Sequence, residues 1–300
     1  MSGSLALTDL LASGPHAIDG GLASELESRG HDLTDTLWSA RILADEPQDV
    51  RAVHESYIGA GARAIVTASY QVSRDGFVAA GRSSASADDA LRASVRIARE
   101  AVGDRDVLVA ASVGPYGAIL HDGSEYRGRY GVSRERLIDF HAERLHVLAE
   151  AGPDALAIET IPDVDEVDAL VEALGEVPHL SAWLTVTCAD PAHTSAGQPL
   201  AEVALAAARS SQIVAGGVNC TAPDNVAGAL ARLAAAGDLP LVAYPNAGGD
   251  WDPHRGWQGA AEGRAVDLID QWCGTPRLAL LGGCCGVGPQ TIRQISKRFC

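Results

Sequence analysis

Eight short apolar runs rich in β-branched residues recur along the chain, at residues 16–21, 62–69, 107–115, 155–160, 180–188, 213–220, 241–246 and 278–285. Each ends in polar residues or glycine, and each is followed by a stretch with helical periodicity. The helical stretches cover residues 47–59, 87–102, 133–151, 164–174, 200–209, 223–235, 258–272 and 289–298. In the first of them, Val50, Val53, His54, Tyr57 and Ile58 fall on one face, and Gly59 and Gly61 supply a stop. Strict alternation of strand and helix implies parallel pairing, because parallel neighbours need a crossover and a helix supplies it. The runs are almost continuously apolar, as expected of strands buried on both faces.

The reading is α/β, a single (β/α)8 TIM barrel occupying residues 1–300 as one domain. An open doubly wound sheet would share the alternation, but its phosphate-binding GxGxxG fingerprint is missing after the first run, where Asp19-Gly20-Gly21 leads into Leu22-Ala23-Ser24. No linker rich in proline, glycine or serine divides the chain. Long loops at residues 22–46, 70–86 and 116–132 are expected at the C-terminal mouth, where barrels carry their active sites.

Composition narrows the partners. A formal charge of −16 should repel nucleic acid and anionic membranes, so neither is expected as a partner. The N-terminal residues lack a basic region followed by a sustained apolar stretch, and no apolar run is long enough to span a bilayer, so a cytoplasmic location is expected. Six cysteines in 300 residues are too sparse for a disulfide scaffold and point instead to metal binding or catalysis.

Three of those cysteines fall at two run ends: Cys220 in Gly217-Val218-Asn219-Cys220, and Cys284 and Cys285 in Gly282-Gly283-Cys284-Cys285-Gly286. Adjacent strand residues point to opposite faces, so Cys284 and Cys285 can share one metal only if the backbone leaves strand geometry. Flanking glycines permit that break. A single buried cysteine usually behaves as a small apolar residue. Three thiolates with one open position, by contrast, match a catalytic Zn2+ site. None of the nine histidines falls at the end of a run, which argues against a histidine-based metal centre. Cys188 ends the fifth run but is not needed as a ligand, and Cys273 and Cys300 look incidental.

Asp19-Gly-Gly-Leu-Ala-Ser-Glu-Leu-Glu27, Ser69-Tyr70-Gln71, Gly114-Pro-Tyr-Gly-Ala118, Asp122-Gly-Ser-Glu-Tyr-Arg-Gly128, Gly217-Val-Asn-Cys220 and Gly282-Gly-Cys-Cys285 together resemble the homocysteine S-methyltransferase family over residues 16–295. The resemblance implies a zinc-dependent barrel that moves a methyl group onto homocysteine to give methionine, with Cys220, Cys284 and Cys285 as ligands. Residues 122–128 resemble the branch that uses S-methylmethionine or S-adenosylmethionine. Gly286 stands where that branch usually carries arginine and the betaine-using branch carries glycine, and Ala247 stands where serine is frequent.

A free thiol has a pKa near about 8.5, so a metal that favours the thiolate would make homocysteine a nucleophile at neutral pH. A sulfonium donor suits an anionic site and leaves as a neutral thioether. Asp19 and Glu159 end the first and fourth runs, and the resemblance gives their counterparts the amino group of homocysteine. Of the aromatic residues in or beside the expected mouth loops, Trp38, Tyr70, Phe77, Tyr116, Tyr244, Trp251 and Trp257, we single out Tyr70 to face the cationic sulfur. Asn219 and Asn246 end the sixth and seventh runs and are placed to orient sulfur or substrate. Three other readings remain: a betaine-type or other thiol or selenol methyltransferase, a hydrolase using Cys220 or Cys285 as nucleophile with His121, His193 or His254 as base, and a non-catalytic zinc or thiol sensor.

Overall fold

The computed structural model describes residues 5–33, 37–248, 250–252, 256–258 and 262–299, with backbone alone at 250–252, 256–258 and 262. Eight parallel strands make the main sheet: β1 (His16–Ala17), β2 (Ala64–Val66), β3 (Leu108–Val113), β4 (Ala155–Ile161), β5 (Ala182–Val186), β6 (Ile213–Asn219), β7 (Leu241–Tyr244) and β8 (Leu278–Leu281). Their order is β1-β8-β7-β6-β5-β4-β3-β2. A parallel bridge between Ile18 and Ala64 joins the last strand to the first, and the Asp19 amide donates to the Ala64 carbonyl at 3.2 Å. The sheet thus closes into a (β/α)8 barrel, as the alternation predicts.

Two layers of core follow from the period of two along each strand. Ala155 and Ala157 of β4 face inward with Ala110, Trp183, Ala215, Val242 and Leu280, while Leu156 and Ile158 join the cluster between barrel and helices. Trp183, fully buried, donates its indole N–H to the Tyr244 hydroxyl at 3.1 Å inside the barrel. Leu7 and Leu10 of the helix Leu7–Ala12 join the inward-facing cluster. In the helix Pro47–Gly59 the five residues placed on one face by their spacing are the five that are buried.

Several strands are shorter than the apolar runs that announce them. The run at 62–69 yields only Ala64–Val66, because the chain turns after it: the Thr67 and Ser69 hydroxyls bond each other at 2.7 Å and Ser69 bonds the Ser112 carbonyl at 2.8 Å. The loops expected at 22–46 and 70–86 contain the helices Leu22–Ser28, Ser39–Asp45 and Arg74–Ala79. After β7 a hairpin pairs Asp250–Asp252 with Gly256–Gln258, an element with no counterpart in the sequence reading. Among the described residues, no helix is long and apolar enough to cross a membrane.

Candidate metal centre and substrate cavity

The three cysteines meet where β6 and β8 end. Cys284 Sγ lies 3.1 Å from Cys220 Sγ, Cys220 Sγ lies 3.6 Å from Cys285 Sγ, and Cys284 Sγ lies 3.9 Å from Cys285 Sγ. The strand stops at Leu281, and the chain then turns so that both neighbouring cysteines face one point. Hydrogen bonds fix that turn: Cys284 N–H to the Pro245 carbonyl at 2.7 Å, Ala247 N–H to the Cys285 carbonyl at 2.8 Å, and Gly286 N–H to Ser24 Oγ at 2.7 Å. Gly286 has φ +77°, a left-handed conformation that disfavours a side chain. Glycine at this position therefore has a backbone reason independent of the methyl donor. Gly21 is needed for close approach, since a Cβ there would stand 2.5 Å from the Cys284 carbonyl oxygen.

Cys220 reaches the cluster through an uncommon backbone conformation, φ +46°. Thr160, at the end of the β4 side, shares the left-handed region with φ +64°. Asn219 clamps that second residue at both ends: its carboxamide oxygen accepts from Thr160 N–H at 2.7 Å and its nitrogen donates to Thr160 Oγ1 at 2.7 Å. Asn219 thus reaches past β5 to the end of β4 rather than to a sulfur. Asn246 folds back to accept the Gly248 N–H at 3.0 Å and does not line the cavity.

A tetrahedral ion with metal–sulfur bonds of about 2.3 Å needs sulfurs roughly 3.8 Å apart. Two of the separations, 3.6 and 3.9 Å, match that spacing, and the Cys220–Cys284 pair, at 3.1 Å, would spread slightly to admit the ion. The donor chemistry agrees. The adjoining sulfurs of Cys220 and Cys285, together with burial, hold the Cys284 thiol well above its ordinary range, so three thiolates this close call for a cation. Cys188 sits apart, buried under the Thr221 hydroxyl, with its thiol pushed up to about 12 by burial.

The cluster opens onto a cavity enclosing about 870 Å³, part of it continuous with solvent. Asp19, Glu125 and Glu159 line it with the three cysteines and with Trp38, Tyr70, Tyr126 and Tyr244; among its described lining residues there is no Lys, Arg or His. Asp19 Oδ2 accepts the Val66 N–H at 2.8 Å, and Glu159 Oε1 accepts the Ser112 hydroxyl at 2.5 Å. Burial raises Asp19 well above the usual carboxylate range and lifts Glu159 and Glu125 to about 7 each. Tyr126 sets its hydroxyl 3.2 Å from Cys220 Sγ.

Tyr70, singled out from sequence, lines the cavity with its hydroxyl buried. Phe77 packs inside the core and Tyr116 stacks against Tyr130 and Phe140, so neither faces the site. The side chains of Trp251 and Trp257, and all of His254, lie outside the described residues. Of the other two histidines considered as bases, His193 pairs with Asp190 at 2.9 Å and His121 packs on Trp38 with ring centroids 5.8 Å apart. Neither lines the cavity.

Sequence reasoning missed Tyr126 and Arg144. Tyr126 lies on the short 3₁₀ turn Ser124–Tyr126, away from any strand end, within the quoted stretch 122–128. Arg144 lies in the middle of the helix Arg134–Glu150, a position where arginine usually faces water, yet it is 2% exposed. Its guanidinium donates to the carbonyls of Gly114 at 2.8 Å, Ser69 at 3.2 Å and Tyr70 at 2.8 Å, tying the loops after β2 and β3 to the helix layer. Glu166 braces the same loop, accepting the Tyr116 N–H at 2.6 Å and the Tyr130 hydroxyl at 2.8 Å.

A profile of the homocysteine S-methyltransferase family matches residues 17–299. The chain is 40% identical over 291 residues to homocysteine S-methyltransferase YbgG of Bacillus subtilis (strain 168), covering 93% of this chain and 92% of that one. It is 41% identical over 305 residues to selenocysteine Se-methyltransferase of Brassica oleracea var. italica, covering 94% and 88%. The crystal structure of the homocysteine methyltransferase MmuM from Escherichia coli in its metallated form superposes with a TM-score of 0.86 at 40% identity, over 95% of this chain and 96% of that one. With a barrel of the same shape and a match that runs from β1 to the last helix, this chain belongs to the homocysteine S-methyltransferase family.

Proposed function

We propose that the protein, as one domain over residues 1–300, transfers a methyl group from a sulfonium donor, S-methylmethionine or S-adenosylmethionine, to the thiol of homocysteine, giving methionine. Cys220, Cys284 and Cys285 would hold Zn2+, a reading supported by their spacing and by the metallated form of the E. coli homologue. When bound there, zinc supplies a Lewis acid that favours the deprotonated, nucleophilic form of a substrate thiol.

The chain's own groups do the rest. Asp19 and Glu159, fixed by Val66 and Ser112, present two buried carboxylates to the homocysteine ammonium. That cation offsets the cost of burying them ionised. Tyr126 steadies the Cys220 sulfur through its hydroxyl. Trp38, Tyr70 and Tyr244 wall the cavity with aromatic surface and keep water from competing for the methyl group. In the transfer, a sulfur lone pair of homocysteine forms a bond to the methyl carbon while the donor's carbon–sulfur bond breaks. That electron pair stays on the departing sulfur, which becomes a neutral thioether.

The observation that carries this reading is the convergence of three sulfurs on a cavity whose described lining holds three carboxylates and no basic side chain. Such a cavity suits a cationic donor. A selenol acceptor is a second reading, favoured by the similarity to the Brassica selenocysteine enzyme. The test is a methyl-transfer assay on protein of known zinc content. Homocysteine or selenocysteine is offered with S-methylmethionine, S-adenosylmethionine or betaine. Methionine from a sulfonium and not from betaine, at about one zinc per chain, is the expected result. No product from any sulfonium would overturn the proposal.

A further inference from the structure

Two residues that line the cavity each bury a polar atom with no hydrogen-bond partner: Glu125 Oε2, in a residue 4% exposed, and Gln71 Nε2, in a residue 5% exposed. They differ in this from Asp19 and Glu159, each of which already accepts a hydrogen bond from a neighbouring strand. Buried acceptors and donors are rarely left unpaired, and where both line one cavity, a ligand carrying the complementary groups completes them. Glu125 asks for a donor, best a cationic one, and Gln71 for an acceptor.

Both residues belong to loops beyond the strand ends. Gln71 follows Tyr70 in the turn whose carbonyls Arg144 holds. Glu125 stands on the 3₁₀ turn Ser124–Tyr126, where its backbone packs so tightly that a Cβ on Gly117 would come within 2.5 Å of its amide nitrogen. The two side chains are therefore presented by braced backbone rather than by free loops. Charge sharpens the assignment. On the function proposed above, one ammonium, that of homocysteine, is met by Asp19 and Glu159. The third carboxylate of the lining, Glu125, is then left for a second cation.

Resting on that reading, we infer that Glu125 and Gln71 grip the α-amino-acid end of the methyl donor, Glu125 taking its ammonium and Gln71 its carboxylate. The pair makes this protein selective for sulfonium donors that are themselves amino acids. A donor with the same sulfonium and carboxylate but no α-ammonium satisfies only Gln71, and a bare sulfonium satisfies neither.

The test compares S-methylmethionine, dimethylsulfoniopropionate and trimethylsulfonium as donors at saturating homocysteine, in the zinc-loaded wild type, Glu125→Gln and Gln71→Leu. Glu125→Gln should lower the kcat/KM ratio of S-methylmethionine to dimethylsulfoniopropionate by roughly 10- to 100-fold, mainly through the donor KM, while the homocysteine KM stays as in wild type. Gln71→Leu should lower kcat/KM for both carboxylate-bearing donors relative to trimethylsulfonium. A rise in homocysteine KM with an unchanged donor ratio would overturn the inference by moving the pair to the acceptor side. If the wild type transfers no methyl from any sulfonium, the proposed function fails by itself. Calorimetric binding of S-methylmethionine then decides the pair: weaker binding in both variants upholds it, and equal or absent binding overturns it.

Discussion

Cys220 and Cys284 are 64 residues apart in the chain, just past the ends of two strands with another strand between them, yet their sulfurs stand 3.1 Å from each other. Replacing one of them removes a third of the donor set without disturbing the barrel core. Cys220→Ser or Cys285→Ser should lose bound zinc and drop methyl transfer by more than about 100-fold. Metal analysis alongside the activity assay checks this, and full turnover in either variant would refute the ligand assignment.

Glu159 ties binding to pH. Burial lifts its carboxyl from 4.5 to about 7, so between those values the folded chain keeps a proton that the unfolded chain has released. The stability this provides is whole below pH 4.5 and is lost as the pH climbs to 7. Glu159→Gln should therefore be more stable than wild type at pH 8, by up to about 3 kcal/mol. Its homocysteine KM should rise about tenfold or more. Asp19 and Glu125 shift in the same direction, so the readout is the difference between variant and wild type in denaturant titrations across pH.

His54 runs the other way. It is fully buried, neither ring nitrogen has a partner, and burial holds the imidazole down at about 4. Between pH 6.5 and about 4 the unfolded chain takes up a proton that the folded chain refuses, so stability is lost as the pH falls through that window. His54→Leu should gain about 1–3 kcal/mol at neutral pH and more at pH 5. A wild-type-like acid profile in the variant would contradict this.

Arg144 carries three loop carbonyls with no exposed surface to fall back on. Arg144→Met should cost about 2–4 kcal/mol, and Arg144→Lys less, since an ammonium keeps a charge but not the planar fork. Urea unfolding measures this. A change under about 0.5 kcal/mol would show that the carbonyls find other partners.

The barrel was legible because parallel strands buried on both faces leave unbroken apolar runs, and each of the eight runs marks one strand, β4 alone reaching one residue beyond its run. Strand ends were less so. At 62–69, Thr67 and Ser69 look like continuing strand, but their hydroxyls and the Ser69 carbonyl are committed to turn contacts and to Arg144. The cysteine cluster was visible because its residues sit at run ends beside glycine. Asn246 shares that position, yet its carboxamide is spent on its own turn at Gly248. Tyr126, on a 3₁₀ turn, carries no periodic signal. Arg144 falls at helical spacing with the buried Leu137, Phe140, His141 and Leu148, so its position marks the inner face and only its charge argues for solvent.

The left-handed conformations of Cys220 and Thr160, with Asn219 clamping Thr160, are built entirely from the chain's own backbone and side chains. The strand ends that carry the sulfurs belong to a closed eight-stranded scaffold with a large core of its own, unlike a small zinc module that is unfolded until metal arrives. On the zinc reading proposed above, withdrawal of the metal should silence the enzyme while the barrel stays folded, and resupply should restore activity with no new synthesis.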